Sequence, residues 1–406
     1  MRVAFLVPAL DLFGGVAVVV GHACRLRERH GVDAVLVLTR ADRATSEHGY
    51  EGLDGLPVLE LDGARDEHFD VAVATWWETT LHLHDLAADR YAYFVQSMED
   101  RFYGPDTAER AAAAMTHALP VAMLTEARWI ADQLEELRGP RQGFLVHYVR
   151  NGIDKSVFAL PGGSVAPAPR VDGPLQVLVE GRPGVPFKGV DEALAAAGAM
   201  REPAHVTLVC ADGAVASGPV PAGADAVVGP LDAAGMAELY AKTDVVLKLS
   251  RVEGMAGPPL EGFHCGATCI TTPVTGHDEY ISDGRNALLT SWDDERGTSR
   301  LLDLLARDRR LLHRLRVGAV RTARSWPSTE QSTAMLALAL GRIVAAPSPD
   351  PTGSAASMAA DIRTTMQRHQ AAERDHERLE VRMRRIESLL SKGPLKMVRR
   401  AVAGRR

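Results

Sequence analysis

The sequence predicts an α/β protein of two Rossmann-like domains followed by a helical coiled-coil tail. Three observations carry this: two successive alternations of apolar strand-length runs with amphipathic segments, a linker of small residues between them, and a heptad series near the C-terminus. The chain has 406 residues, enough for two cores, and its 46% hydrophobic and 24% charged content is ordinary for a soluble globular protein.

In the first domain (residues 1–160) the strand candidates are "VAFLVPA", "DAVLVLT", "VAVATWW", "YAYFVQS" and "PVAMLTE". Each is a short apolar run ending in turn or polar residues, which suits buried parallel strands. Helix-length segments such as Val16–His30 and Ala108–His117 lie between them. "LPGGSVAPAPRVDGP" (Leu160–Pro174) reads as a linker. A second domain (174–326) follows with "LQVLVEG", "HVTLVCA", "DAVVGP", "DVVLKLS" and "ATCITTP". After Pro327 a helix-length run to residue 346 is expected to cross back to the first domain. From Met358 to Leu390, apolar or neutral residues recur at spacings of four and three, a coiled-coil pattern within a tail segment of 354–406.

Several function classes drop out. No apolar run reaches the roughly 18–20 residues of a membrane span, and "MRVAFLVPALDLFGG" reads as a first strand because it lacks a cleavage site of small residues. Cys24, Cys210, Cys265 and Cys269 have no metal-site spacing and read as reduced, buried thiols of a cytoplasmic protein. His82 and His84, two apart, would not share a helix face, and "WDDE" at Trp292–Glu295 reads as an acidic loop, so no metal site is expected. The net charge of −6 is uneven: from Ser354 onward 13 Lys and Arg meet 6 Asp and Glu, so the body is acidic and the tail basic. An acidic body argues against nucleic acid as a partner.

"RVEGMAGPPLEGFHCG" (Arg251–Gly266) places Glu253 on a glycine-rich loop and Glu261 just beyond Pro258 and Pro259. Proline is tolerated where a helix starts, so Glu261 is expected in its first turn, where the dipole favours a carboxylate. The loop follows the strand "DVVLKLS", and doubly wound sheets bind ligands at the carboxyl ends of their strands. Exposed amides and a helix N-terminus suit phosphate, while two carboxylates suit hydroxyls. "VEGRPGVPFKGV" (Val179–Val190) adds Arg182 and Lys188 on the loop after the first strand of the same domain. Arg grips phosphate in a fork and Lys acts as a point charge. Such a site suits a nucleotide sugar. Taken alone, each motif is also an ordinary loop running into a helix.

"GRPGVPFKG", "EGMAGPPLEGFHCG", "GHDEYISDGRNALL", "RNGIDKSVF" and the early "FGGV" stand in an order and spacing that resemble a retaining family 4 glycosyltransferase. The resemblance spans residues 1 to about 345. It implies the GT-B fold, two Rossmann-like domains facing a cleft, with the acceptor on the first and the nucleotide-sugar donor on the second. It implies a hexosyltransferase-type enzyme that needs no divalent metal or cofactor. Carried over, Glu253 would touch donor-sugar hydroxyls and Glu261 the ribose. Arg182 and Lys188 would hold the diphosphate with the amides of Met255, Ala256 and Gly257, and Gly14 and Gly15 would let the first loop approach the same phosphates. Where many members carry a histidine, this chain has "YAYFVQSMEDRFY", similar to the rhamnosyltransferase-like branch. Gln96 and Glu99 would then face donor or acceptor, with Trp76 or Trp77 stacking on acceptor rings or packing in the core.

The expected reaction moves a sugar, rhamnose or a hexose, to a glycan or lipid-linked glycan acceptor in bacterial polysaccharide or glycolipid assembly. Alternatives are a sugar-nucleotide epimerase or hydrolase of the same fold, or a non-catalytic scaffold subunit. "SLLSKGPLKMVRRAVAGRR" closes the chain with a basic amphipathic pattern. It suits an anionic membrane surface, which would make a cytoplasmic chain peripheral on the inner face of the plasma membrane. The heptads would form a homodimer or bind another protein.

Overall fold

The computed structural model describes residues 1–10, 14–40, 52–139, 146–350 and 352–392. The first domain has β1 (Arg2–Val7), α1 (Gly14–His30), β2 (Asp33–Leu38), β3 (Val58–Glu60), α2 (Leu61–Ala64), β4 (His68–Ala74), α3 (Trp77–Thr80), β5 (Ala87–Val95), α4 (Ala108–Thr116), β6 (Ala122–Thr125), α5 (Arg128–Arg138) and β7 (Val146–Tyr148). All strands are parallel, in the order β3-β2-β1-β4-β5-β6-β7.

The second domain repeats the plan. It has β8 (Leu175–Glu180), α6 (Val190–Gly198), β9 (Ala204–Val209), α7 (Gly213–Ala216), β10 (Ala226–Val228), α8 (Ala233–Lys242), β11 (Val245–Lys248), α9 (Gly257–His264), β12 (Thr268–Thr271), β13 (Ala287–Leu289), α10 (Glu295–Arg307) and α11 (Arg309–Ser325). Its parallel order is β10-β9-β8-β11-β12-β13. The two-domain α/β class read from the alternation is the one observed. The pattern misses β3, β7 and β13, each three residues long.

Central strands such as β1 and β11 are buried on both faces, which is why they read as continuous apolar runs. The four cysteines are buried thiols outside any disulfide. Segment 160–174 carries a 3-10 turn at Pro161–Gly163, and Arg316 pins it to the second domain by donating to Ala168 O at 3.0 Å and Gly266 O at 2.6 Å. The chain returns to the first domain at Trp326, whose indole donates to Asn151 O at 2.8 Å beneath the Arg150 guanidinium. Ser328 then caps α12 (Thr329–Ala345) in a capping box with Gln331. Leu336, Ala339, Leu340 and Ile343 of α12 join the core formed by β1, β2 and α1.

The last helix, α13 (Ser354–Lys392), corrects the heptad reading. Its first turns are not free for another chain: Ala355, Ala359, Ile362 and Met366 are buried against the first domain, and Arg363 pairs with Asp85 at 3.0 Å. Asp350 accepts from the Ser354 and Ala355 amides and starts the helix. From Gln370 to Arg385 every residue is exposed. The heptad pattern records an apolar stripe without saying what covers it, and here half of it is spent on the chain's own first domain. The basic end from Gly393 lies outside the described residues. Among the described residues no helix is long and apolar enough to cross a membrane.

Truncation after Gln367 should therefore leave thermal unfolding unchanged. Truncation after Gly353 removes the buried Ile362 and Met366, each contributing about 1.5–3 kcal/mol, uncovers the first-domain surface they pack on, and should lower the transition by about 5 °C or more. Calorimetry of the two truncations checks this, and equal melting would mean that the docked turns contribute nothing.

Candidate active site at the second switch point

The second sheet reverses its strand order between β8 and β11, and such switch points are where open α/β sheets bind ligands. Two loops meet there. One leaves β8 at Glu180 and ends in a 3-10 turn at Pro186–Lys188. Gly189 follows with φ +65°, and a Cβ there would lie 2.1 Å from Leu249 O, so only glycine lets this loop press on the end of β11. The Arg251 amide donates to Phe187 O at 2.8 Å and ties the loops together. Lys188 is thereby delivered to Glu253, with Nζ 3.1 and 3.2 Å from its two carboxylate oxygens.

Sequence reasoning missed the other half of this cluster. Lys248, the last residue of β11, is only 2% exposed, yet its Nζ reaches Glu180 Oε2 at 2.5 Å and lies 3.6 Å from Glu253 Oε1. Leu247 pairs with Val179 in the parallel register, so residues 248 and 180 leave adjacent strands side by side. Burial pushes the Glu253 carboxyl up, but Lys248 and Lys188 outweigh it and hold it below the ordinary carboxylate range. Burial also disfavours the Lys248 ammonium, and Glu180 and Glu253 reverse that, raising its pKa. The signal in the sequence is a lysine inside the apolar run "DVVLKLS".

The second loop runs into α9, with Pro258 and Pro259 in its first turn. Proline has no N–H, so the donors at this helix end are the amides of Met255, Ala256 and Gly257, which find no backbone acceptor among the described residues. Glu261 differs from expectation. It stands in the second turn because α9 already starts at Gly257, and a neighbouring side chain, not the helix end, engages it. The buried Tyr240 hydroxyl donates to Glu261 Oε2 at 3.0 Å. Burial lifts this carboxyl to about 7, Tyr240 working against the lift and Glu180 with it.

The first domain closes over these loops. A Cβ on Gly254 would lie 1.7 Å from Gln96 O, so two backbones touch across the domains. Trp129 Nε1 donates to Gly254 O at 2.7 Å, and Gly276 leaves room for that indole. Arg101 lies over the Trp129 ring and donates to Thr275 Oγ1 at 3.1 Å. Glu279 of the second domain accepts from the Arg128 amide at 2.6 Å and the Tyr148 hydroxyl at 3.0 Å. Gly15 faces Gln96, whose Oε1 would be 3.1 Å from a Cβ there, while nothing lies within 4 Å of such an atom on Gly14. Glu126, at the end of β6, is buried with Oε2 unpartnered, and burial beside Glu279 and Glu253 lifts it to about 8.

Glu99, Trp77 and Arg182 stand outside this cluster. Glu99 does not face the cleft: it is wholly buried, accepting from the Tyr93 hydroxyl at 2.6 Å and the Trp77 amide at 2.5 Å, and burial lifts its carboxyl to about 8. It braces the turn after β5, a role that only tertiary contacts reveal. Trp77 is core, its indole donating to the Tyr103 hydroxyl at 2.9 Å. Trp76 is half-buried and stacks on Phe102, which meets Phe187 at 5.2 Å. That aromatic ladder leads across the cleft to the Lys188 loop. Arg182 is 65% exposed and pairs with Asp212 at 3.2 Å, outside the Lys188–Glu253 cluster. Among the described residues no group of three or more His, Cys, Asp or Glu is placed to hold a metal ion.

Residues 175–307, most of the second domain, match the family model described as "Glycosyl transferases group 1". The chain has the GT-B fold. Its described body is similar to HepE from Anabaena, solved with UDP-glucose, at 14% identity over 84% of this chain and 100% of that one, with a TM-score of 0.65. It is similar to sucrose-phosphate synthase from Thermosynechococcus elongatus at 11% identity, 85% and 99% coverage and a TM-score of 0.67. WaaG, a glycosyltransferase involved in lipopolysaccharide biosynthesis, matches at 14% identity, 83% and 99% coverage and 0.61. At these identities the likeness carries the GT-B fold, and the resemblance read from the motifs holds at that level. A comparison with curated proteins finds no match.

Proposed function

We propose that this GT-B protein is a retaining, metal-independent glycosyltransferase. It takes a sugar from a nucleoside-diphosphate sugar and delivers it to a glycan or lipid-linked glycan in bacterial polysaccharide or glycolipid assembly. The observation that carries this is the convergence of Lys188, Lys248 and Glu253 with the donor-rich start of α9 at the switch point. The match of the second domain to group 1 glycosyl transferases, and HepE's complex with UDP-glucose, support the same reading.

The bond between the anomeric carbon and the donor phosphate oxygen breaks as the bond to the acceptor hydroxyl forms. The acceptor's proton passes to the departing phosphate oxygen on the same face. Negative charge grows on the diphosphate, and preorganised donors aimed at such charge are worth roughly 3–4 kcal/mol each. Lys188 and the α9 amides supply them, and Arg182 joins by leaving Asp212. Glu253 orients the sugar, and Glu261 with Tyr240 receives the ribose. Chain crossings at 160–174 and after Ser325 let the domains close and exclude water. The free turns of α13 pair with a second copy or another protein, and the basic end reaches an anionic membrane.

Isothermal titration with UDP, GDP and dTDP under a chelator tests the donor side, and the anomeric configuration of the product tests retention. Glu261→Ala should raise the donor KM at least tenfold with kcat little changed, because ribose contacts are equal in ground and transition states. Absence of binding by all three nucleotides, or an inverted product, would overturn the reading.

A further inference from the structure

We infer that Lys248 is a positioning residue, the permanent counter-ion that keeps Glu253 in place when Lys188 turns to a bound diphosphate. The inference rests on the donor reading above and goes beyond it by adding a residue to the site. Lys188 Nζ lies within 3.2 Å of both Glu253 oxygens, so a bound diphosphate competes with Glu253 for the same ammonium and weakens that contact. Glu253 has a side chain only 12% exposed, and a carboxylate stripped of its partner there would protonate or swing away.

Lys248 cannot make the same exchange. Its side chain is 2% exposed, comes from the rigid end of β11, and is locked from behind by Glu180 Oε2 at 2.5 Å. Its Nζ lies 3.6 Å from Glu253 Oε1, an approach made from the end of β11 and not from the Lys188 loop. Lys188, by contrast, is 32% exposed on a loop. One cation is built to move and the other to stay. The other groups facing Glu253 are the Ser250 hydroxyl, Glu126 from the first domain and the buried Tyr280 hydroxyl, none of them cationic. Without Lys248, the departure of Lys188 would leave Glu253 among neutral and acidic neighbours.

Proton linkage reads this directly. UDP is titrated at pH 6–7 in buffers of different ionisation enthalpy, which counts protons taken up on binding. The unaltered protein should bind UDP with little uptake at this site. Lys248→Met should still bind UDP and take up a substantial fraction of one proton, since loss of an opposite charge moves a carboxyl by about 1–3 pH units. Lys248→Arg should restore the original count. The double variant Glu180→Gln with Lys248→Met leaves no lone charge at the end of β8 and gives the same uptake if the single variant does not fold. A proton count unchanged in the folded variant overturns the role of Lys248. Failure of the unaltered protein to bind UDP, GDP or dTDP overturns the donor reading itself, and this inference with it.

Discussion

Lys188→Ala should lower kcat/KM by about 10²–10³ while circular dichroism and melting stay those of the unaltered protein. The side chain is partly exposed and its partner Glu253 keeps Lys248, so the fold loses little. On the proposed mechanism, what disappears is a cation aimed at charge that grows only as the glycosidic bond breaks, so the loss should fall mainly on kcat. Arg182→Ala should cost less, because that guanidinium starts 65% exposed against Asp212 and must be recruited. Steady-state kinetics with a UDP-sugar panel measures both. Turnover within threefold of normal in Lys188→Ala would remove this lysine from the chemistry.

Gly254→Ala should be as damaging by a different route. The new Cβ would meet Gln96 O at 1.7 Å and its carbonyl carbon at 2.9 Å, and backbone cannot move aside as a side chain does. Either the Glu253 loop shifts, losing the bond from Trp129 Nε1 to Gly254 O, or the domains part. Both outcomes misplace Glu253, and a misplacement near 1 Å costs about 10² in rate. Activity should fall by that factor or more, and small-angle scattering should report a larger radius of gyration. Gly341→Ala, on an exposed face of α12 with nothing within 4 Å of the new atom, should change neither. A scattering profile and rate both unchanged in Gly254→Ala would mean that the two backbones do not meet in solution.

The two-domain α/β alternation and the loops bearing Lys188 and Glu253 are legible in the amino-acid sequence. Buried parallel strands must be apolar on both faces, and such runs are visible without knowing their neighbours. Proline and glycine mark where loops give way to helices, and "GPPLEGFH" shows the start of α9 to within a residue or two. Local pattern also records an apolar stripe on α13, but the same stripe serves a coiled coil or a dock on the first domain.

Which charges meet depends on how distant segments pack. Lys248 and Glu180 are 68 residues apart and become partners through strand register, while Trp129 reaches Gly254 from 125 residues away. Glu99 reads as a cleft residue beside Gln96, yet the turn after β5 folds it beneath Trp77 and Tyr93. Periodicity tells which face of an element is apolar; it carries no information on which polar side chains from different elements converge. That convergence is set by sheet order and domain closure, and the charge balance around Glu253 follows from both.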